Sequence, residues 1–93
     1  MSNSTLPILV VEDDPSLREA LCDTLELAGR SFVAADGGEA ALRALEAQAF
    51  SIVVSDVRMV PMDGIALLKA IRRRLPHLPV VLMPAYAAVE KAV

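Results

Sequence analysis

Ser51-Ile52-Val53-Val54-Ser55-Asp56-Val57-Arg58-Met59 is the stretch on which the reading of this chain turns. Its apolar, β-branched run is too short for a helix and too dry for a loop, so it predicts a buried strand. The run stops at Asp56, an acid at the C-terminal end of that strand, the edge where ligands sit in an open parallel α/β sheet. An earlier apolar run, Leu6 to Val11, also ends in acids, Glu12-Asp13-Asp14. Two such strands lying parallel and side by side would bring both acid groups to one spot.

The rest of the chain reads as scaffolding for that meeting. Asp14-Pro15 opens a first helix, since an acid is a good N-cap and proline suits the first helical position. Leu17, Leu21, Leu25 and Ala28 form its sheet-facing stripe, and Gly29 supplies the stop. Arg30 to Ala35 predicts a short edge strand. Asp36-Gly37-Gly38-Glu39 looks like a capping box for a second helix with Ala41, Leu42 and Leu45 on its apolar side. After the strand from about Phe50 to Asp56, Arg58 to Met62 is a loop, and Asp63 caps a third helix along Ile65, Leu67, Leu68, Ile71 and Leu75. Pro76-His77-Leu78-Pro79 breaks it, Pro79 to Met83 is a fourth buried strand, and Ala85 to Val93 begins a fourth helix. Alternation of this kind, with short right-handed links, predicts an α/β doubly wound parallel sheet.

The chain has 93 residues, enough for one small domain with a single core. Hydrophobic content is 55% and aromatic content 3%, so the core is aliphatic. A net charge of −3 argues against nucleic acid as a direct partner. The single cysteine, Cys22, excludes an internal disulfide framework and suits a reducing, cytoplasmic setting. No signal peptide is recognisable, and no apolar run reaches membrane-spanning length.

Carboxylates converging at strand ends repel one another, and burying them bare is costly. A hard divalent cation relieves this, and Mg²⁺ takes one or two carboxylates, a carbonyl and several waters. Asp13 and Asp56 are the candidate direct ligands, Glu12 a water-mediated one, and the backbone carbonyl of Arg58 is within reach. Taken singly, each acid reads as a helix cap or solvated strand end, and Asp14 reads only as the cap. A carboxylate beside Mg²⁺ is also a nucleophile toward phosphorus, and Asp56 is best placed for that role.

Val10-Val11-Glu12-Asp13-Asp14-Pro15, Ser55-Asp56-Val57-Arg58-Met59 and Pro61-Met62-Asp63-Gly64-Ile65-Ala66-Leu67-Leu68 together resemble the receiver domain of two-component response regulators. Pro79-Val80-Val81-Leu82-Met83 with Ala85-Tyr86 is similar to the fourth strand of that family. The flavour is that of receivers heading nitrogen-regulator-type, sigma-54-dependent activators. The resemblance spans residues 1–93 as one receiver domain. It implies a flavodoxin-like (CheY-like) fold and Mg²⁺ bound by Glu12, Asp13 and Asp56. It also implies phosphorylation of Asp56 by a sensor histidine kinase, with transcription regulated through an output domain outside this chain.

There are departures. The family's threonine or serine after the fourth strand aligns with Pro84, which has neither hydroxyl nor backbone N–H. The usual methionine-proline-glycine loop becomes Met59-Val60-Pro61. The family's fifth strand, its lysine–proline element and its fifth helix are missing from the sequence. Each lost phosphoryl donor is worth roughly 3 kcal/mol, so capture is expected to be slow and coupling to a conformational change weak. That keeps open a second reading, a non-switching interaction module (a pseudo-receiver). The fourth strand is expected to be a hydrophobic edge through which copies of the chain pair or swap.

Enzymatic turnover is disfavoured. A haloacid-dehalogenase-like phosphohydrolase wants an acid two residues after its nucleophile, and that place holds Arg58. At most, self-phosphorylation from small donors and autodephosphorylation are expected. Cys22 reads as a structural thiol, His77 as an exposed turn residue, and Arg72-Arg73-Arg74 as a basic run suited to a helix C-terminus. Gly37-Gly38 lacks the lysine and hydroxyl residue of a phosphate-binding loop.

Overall fold

The computed structural model describes residues 6–84. Along it run β1 (Ile8–Val11), α1 (Pro15–Leu27), β2 (Phe32–Ala35), α2 (Gly38–Ala47), β3 (Ile52–Asp56), α3 (Gly64–Arg74) and β4 (Val80–Met83). The strands form one parallel sheet in the order β2-β1-β3-β4. The chain steps from β1 outward to β2, then back across β1 to β3, so the switch point lies between β1 and β3. This is the flavodoxin-like, doubly wound arrangement expected. The polar lead-in and the helix expected from Ala85 to Val93 lie outside the described residues, as does anything corresponding to a fifth strand.

Local chemistry accounts for the element ends. Asp14 caps α1 by accepting from the N–H groups of Ser16 at 2.9 Å and Leu17 at 3.3 Å, with Pro15 in the first turn. At the other end, Gly29 N–H donates to Glu26 O and Arg30 N–H to Leu25 O, both at 3.0 Å. That pair of bonds needs a left-handed residue, and Gly29 supplies it with φ 73°. Asp63 caps α3 through the Ala66 N–H at 2.8 Å. The capping box expected at Asp36 does not form. The N-cap of α2 is Gly37, which makes no side-chain cap bond, and Ala41 N–H donates to Gly37 O. The helix therefore starts one residue too late for the Asp36 side chain to serve it.

Period-2 alternation divides the sheet into two faces. Leu9, Val11, Ala35 and Val53 point to one side and pack with Ala41 of α2 and Leu67 and Ile71 of α3, with Phe50 and Met59 closing the cluster. Each fully buried Leu or Ile there contributes about 1.5–3 kcal/mol. α1 covers the other face over β1, where Ile8 and Val10 are buried. The expected apolar stripe of α1 is only partly realised: Leu21 and Leu25 are half-buried, whereas Ala28 is exposed and Leu17 is 42% exposed. A single described helix on that face cannot cover a four-stranded sheet. The row Ala34–Val10–Val54–Val81 is accordingly buried at β1 and open toward both edges. On α3, likewise, Leu67 and Ile71 are buried while Ile65 is exposed, as is Leu75, the residue that caps its C-terminal end.

Candidate functional site

Register makes the site. β1 and β3 pair in parallel up to Val11 opposite Ser55, so the next step along both strands sets Glu12 beside Asp56. Asp13 follows in the turn toward α1. Glu12, Asp13 and Asp56 each offer a carboxylate oxygen, and these oxygens all lie within 4.8 Å of one another. Glu12 is 2% exposed and Asp56 9%, while Asp13 is half-buried. The acids expected to converge do converge, at the switch point.

Several bonds hold the turns around this pocket. Glu12 N–H donates to Ala35 O at 3.1 Å, tying the end of β1 to β2. A Glu12 carboxylate oxygen accepts from the Asp14 N–H at 3.0 Å. Asp13 Oδ2 accepts from the Val60 N–H at 3.3 Å, linking the two acidic loops. Ser55, fully buried, donates its hydroxyl to the Asp56 carbonyl at 2.9 Å. Asp14 thus acts as the helix cap it was read to be, and its backbone also supports Glu12.

Electrostatics record the crowding. Burial pushes the Glu12 carboxyl from 4.5 up to about 7; the Asp14 N–H bond pulls it down, and the charges of Asp56 and Asp13 raise it further. Among the described residues no side-chain cation forms an ion pair with these acids; the ion pair there is Arg74 with Glu46, at 3.1 Å on the exposed surface. Hard oxygens, converging and uncompensated, are the donor set a divalent cation such as Mg²⁺ takes.

Two further expected site residues sit on the same rim. Arg58 lies two positions beyond Asp56 and is exposed. Pro84 follows Met83, the residue that pairs with Asp56, and is exposed at the same sheet edge. The sequence motifs include Gly64 without giving it a role and leave Arg18 out. A Cβ on Gly64 would run into the Asp56 peptide, and Arg18 donates to the Glu12 carbonyl at 2.9 Å. An arginine in the second half-turn after an acid cluster is the only trace such a contact leaves in sequence.

The remaining candidates take their structural readings. Arg72 donates to the carbonyls of Leu78 at 2.7 Å and Leu75 at 3.4 Å, beyond the end of α3. Cys22 is half-buried, with its thiol pushed up chiefly by burial, and His77 is exposed. A cleft of about 420 Å³ between Leu45, Phe50, Leu75 and Leu78 lies at the opposite end of the sheet and gathers no comparable acids.

A parallel sheet in this order, with an acidic pocket at its switch point, defines a flavodoxin-like α/β domain with a candidate cation site. Within that class the chain belongs to the response regulator receiver domain family, whose profile matches residues 8–93. It is 62% identical over 86 residues to the response regulator protein FleR of Pseudomonas aeruginosa, covering 92% of this chain and 18% of that protein. It is 43% identical over 93 residues to the transcriptional regulatory protein ZraR of Escherichia coli K12, covering 100% of this chain and 21% of that one. To the DNA-binding transcriptional regulator NtrC of the same organism it is 41% identical over 86 residues, covering 92% and 18%. The nitrogen-regulator flavour read from the motifs agrees with these matches, and the chain spans about a fifth of such relatives.

Solved structures agree on the fold. The response regulator TrrA of Thermotoga maritima, crystallised in complex with Mg²⁺-BeF, superposes with TM-score 0.83 at 28% identity, covering 95% of this chain and 76% of that one. A response regulator receiver protein from Pseudomonas putida gives TM-score 0.80 at 32% identity, covering 94% and 78%. The chain is therefore a response regulator receiver domain, a signalling domain by family. Among the described residues no helix is long and apolar enough to cross a membrane.

Proposed function

We propose that Asp56 is the phosphoacceptor of a Mg²⁺-dependent phosphorelay. The observation that carries the reading is the convergence of Glu12, Asp13 and Asp56, with their oxygens within 4.8 Å at the ends of two adjacent parallel strands. Asp13, Asp56 and the Arg58 carbonyl would hold Mg²⁺ directly and Glu12 would hold it through water. When bound, the ion neutralises the charge that develops on the transferring phosphoryl oxygens.

The residues of the chain supply the rest. An Asp56 carboxylate oxygen attacks the phosphorus of a phosphohistidine on a sensor histidine kinase. The new O–P bond forms as the P–N bond breaks, and the electron pair returns to the imidazole nitrogen, which takes a proton. Burial of Asp56 and Glu12 keeps bulk water from the acceptor, and the tie between Asp13 and the Val60 N–H holds the two loops in register for the attack. Small phosphodonors serve the same chemistry. The setting is cytoplasmic, and output on transcription belongs to the longer proteins of which the relatives are examples, with no direct nucleic-acid contact by this domain.

Intact-mass spectrometry after incubation with Mg²⁺ and acetyl phosphate tests the assignment. A phosphoryl adduct is expected on the wild-type chain and not on Asp56→Ala. An adduct of equal yield on both would place the acceptor elsewhere.

Pro84 favours a second reading, a pseudo-receiver that binds partners without switching, because a residue with no hydroxyl stands one step past Met83 beside the acceptor. A folded, Mg²⁺-binding sample that gains no adduct would select it. We also propose self-association through β4, which has one neighbour among the described residues and exposes Val81 at 46%. A monomer by light scattering at high concentration is the result that overturns this.

A further inference from the structure

Arg18 lies in α1, half-buried, and its guanidinium reaches back along the helix to the carbonyl oxygen of Glu12 at 2.9 Å. Side chains on a helix lean toward its N-terminus, so a residue one turn in is well sited to grip the strand end that precedes it. No carboxylate oxygen lies within salt-bridge distance of Arg18 among the described residues. The arginine therefore neither occupies the acidic pocket nor competes with a cation for its oxygens. It holds the backbone of the pocket from behind.

Glu12 is then held in three ways. Its N–H is bound to Ala35 O, its carboxylate accepts from the Asp14 N–H, and its carbonyl accepts from Arg18. The first bond belongs to the sheet and the second to the turn itself. Only the third comes from a side chain on the helix that the turn leads into. A charged donor on a carbonyl is stronger than a neutral one, and here it is partly shielded from water. Without it, the Glu12–Asp13 peptide loses its tether to α1, while repulsion among three acids pushes the turn outward.

We infer that Arg18 is a positioning residue for the acidic pocket: its bond to the Glu12 carbonyl sets the turn in the conformation that presents Glu12 and Asp13 to a divalent cation. The inference rests on the metal-binding reading proposed above. Groups that orient ligands without touching the metal typically contribute 10–100-fold to affinity, and removing Arg18 should weaken cation binding by about tenfold.

Mn²⁺ titration of the full chain, followed by loss of the free-ion electron paramagnetic resonance signal, gives the affinity without reference to phosphorylation. Arg18→Met keeps the aliphatic stem and removes the donors, and should raise the Kd about tenfold. Arg18→Lys, which keeps one donor, should recover part of the loss. Leu25→Ala, a half-buried position of α1 remote from the turn, should lower the urea midpoint and leave the Kd unchanged. A wild-type Kd in Arg18→Met overturns the inference, as does an equal rise in Leu25→Ala, which would reduce the effect to general stability. If Arg18→Met does not fold, Arg18→Gln, too short to reach the carbonyl, is scored by the same criterion. Failure of the wild-type chain to bind Mn²⁺ at all would overturn the metal reading itself, and this inference with it.

Discussion

Gly64, the first residue of α3, lies so close to Asp56 that a Cβ on it would meet the Asp56 carbonyl oxygen and approach the Val57 Cα to 2.9 Å. Its N–H donates to the Val57 carbonyl at 2.8 Å. The start of α3 is thus docked on the peptide that follows the proposed acceptor, and the atoms in the way are backbone, which cannot rotate aside. Gly38 differs, because the nearest atoms a Cβ there would meet belong to the Met62 side chain.

Gly64→Ala should therefore push α3 off the Asp56 peptide. Forcing an extra carbon into a packed site costs about 1–3 kcal/mol. The urea midpoint should fall accordingly, and uptake of phosphate from acetyl phosphate should slow, since the Asp56 loop moves with the helix. An unchanged midpoint would show that the contact relaxes without cost.

The Glu12 carboxyl gives stability a pH dependence whose sign is fixed. With its value raised from 4.5 to about 7 in the folded state, the fold binds more protons than the unfolded chain between those limits. Its contribution is fully present below the unfolded value and is lost as pH rises through about 7. The full span corresponds to about 3 kcal/mol as an order of magnitude. In EDTA, urea unfolding should show the wild-type chain losing stability from pH 5 to 8 by more than Glu12→Gln does. Saturating Mg²⁺ should shrink that difference by favouring the carboxylate. Parallel pH profiles for the two chains would remove Glu12 from the account.

Pro84 stands one residue beyond Met83, the partner of Asp56 across β3 and β4. A hydroxyl at that place would face developing charge on a phosphoryl group at Asp56. Pro84→Thr should accelerate adduct formation by about a hundredfold, the low end of what one well-aimed donor contributes. Pro84→Ala should not, since it adds no donor side chain. Equal rates for the two variants would separate this position from the chemistry.

Much of this molecule was legible in the sequence because the signals are local. Apolar runs bounded by acids and prolines identify the strands, Asp14 and Asp63 cap the helices they precede, and Gly29 ends α1 where a left-handed residue is needed. Even the meeting of Glu12, Asp13 and Asp56 follows once a parallel order is assumed. What only the tertiary structure decided depends on register and on which faces are covered. The pairing of Val11 with Ser55 brings Glu12 level with Asp56, a match that no periodicity specifies. Leu17 is as apolar as Leu67, yet it stays 42% exposed while Leu67 is fully buried, because only one described helix covers its face of the sheet. The rise of the Glu12 carboxyl, the close approach of Gly64 and the grip of Arg18 arise from atoms brought together by folding. Composition and spacing report what a segment prefers; burial, distance and charge at a site exist only after the segments have packed.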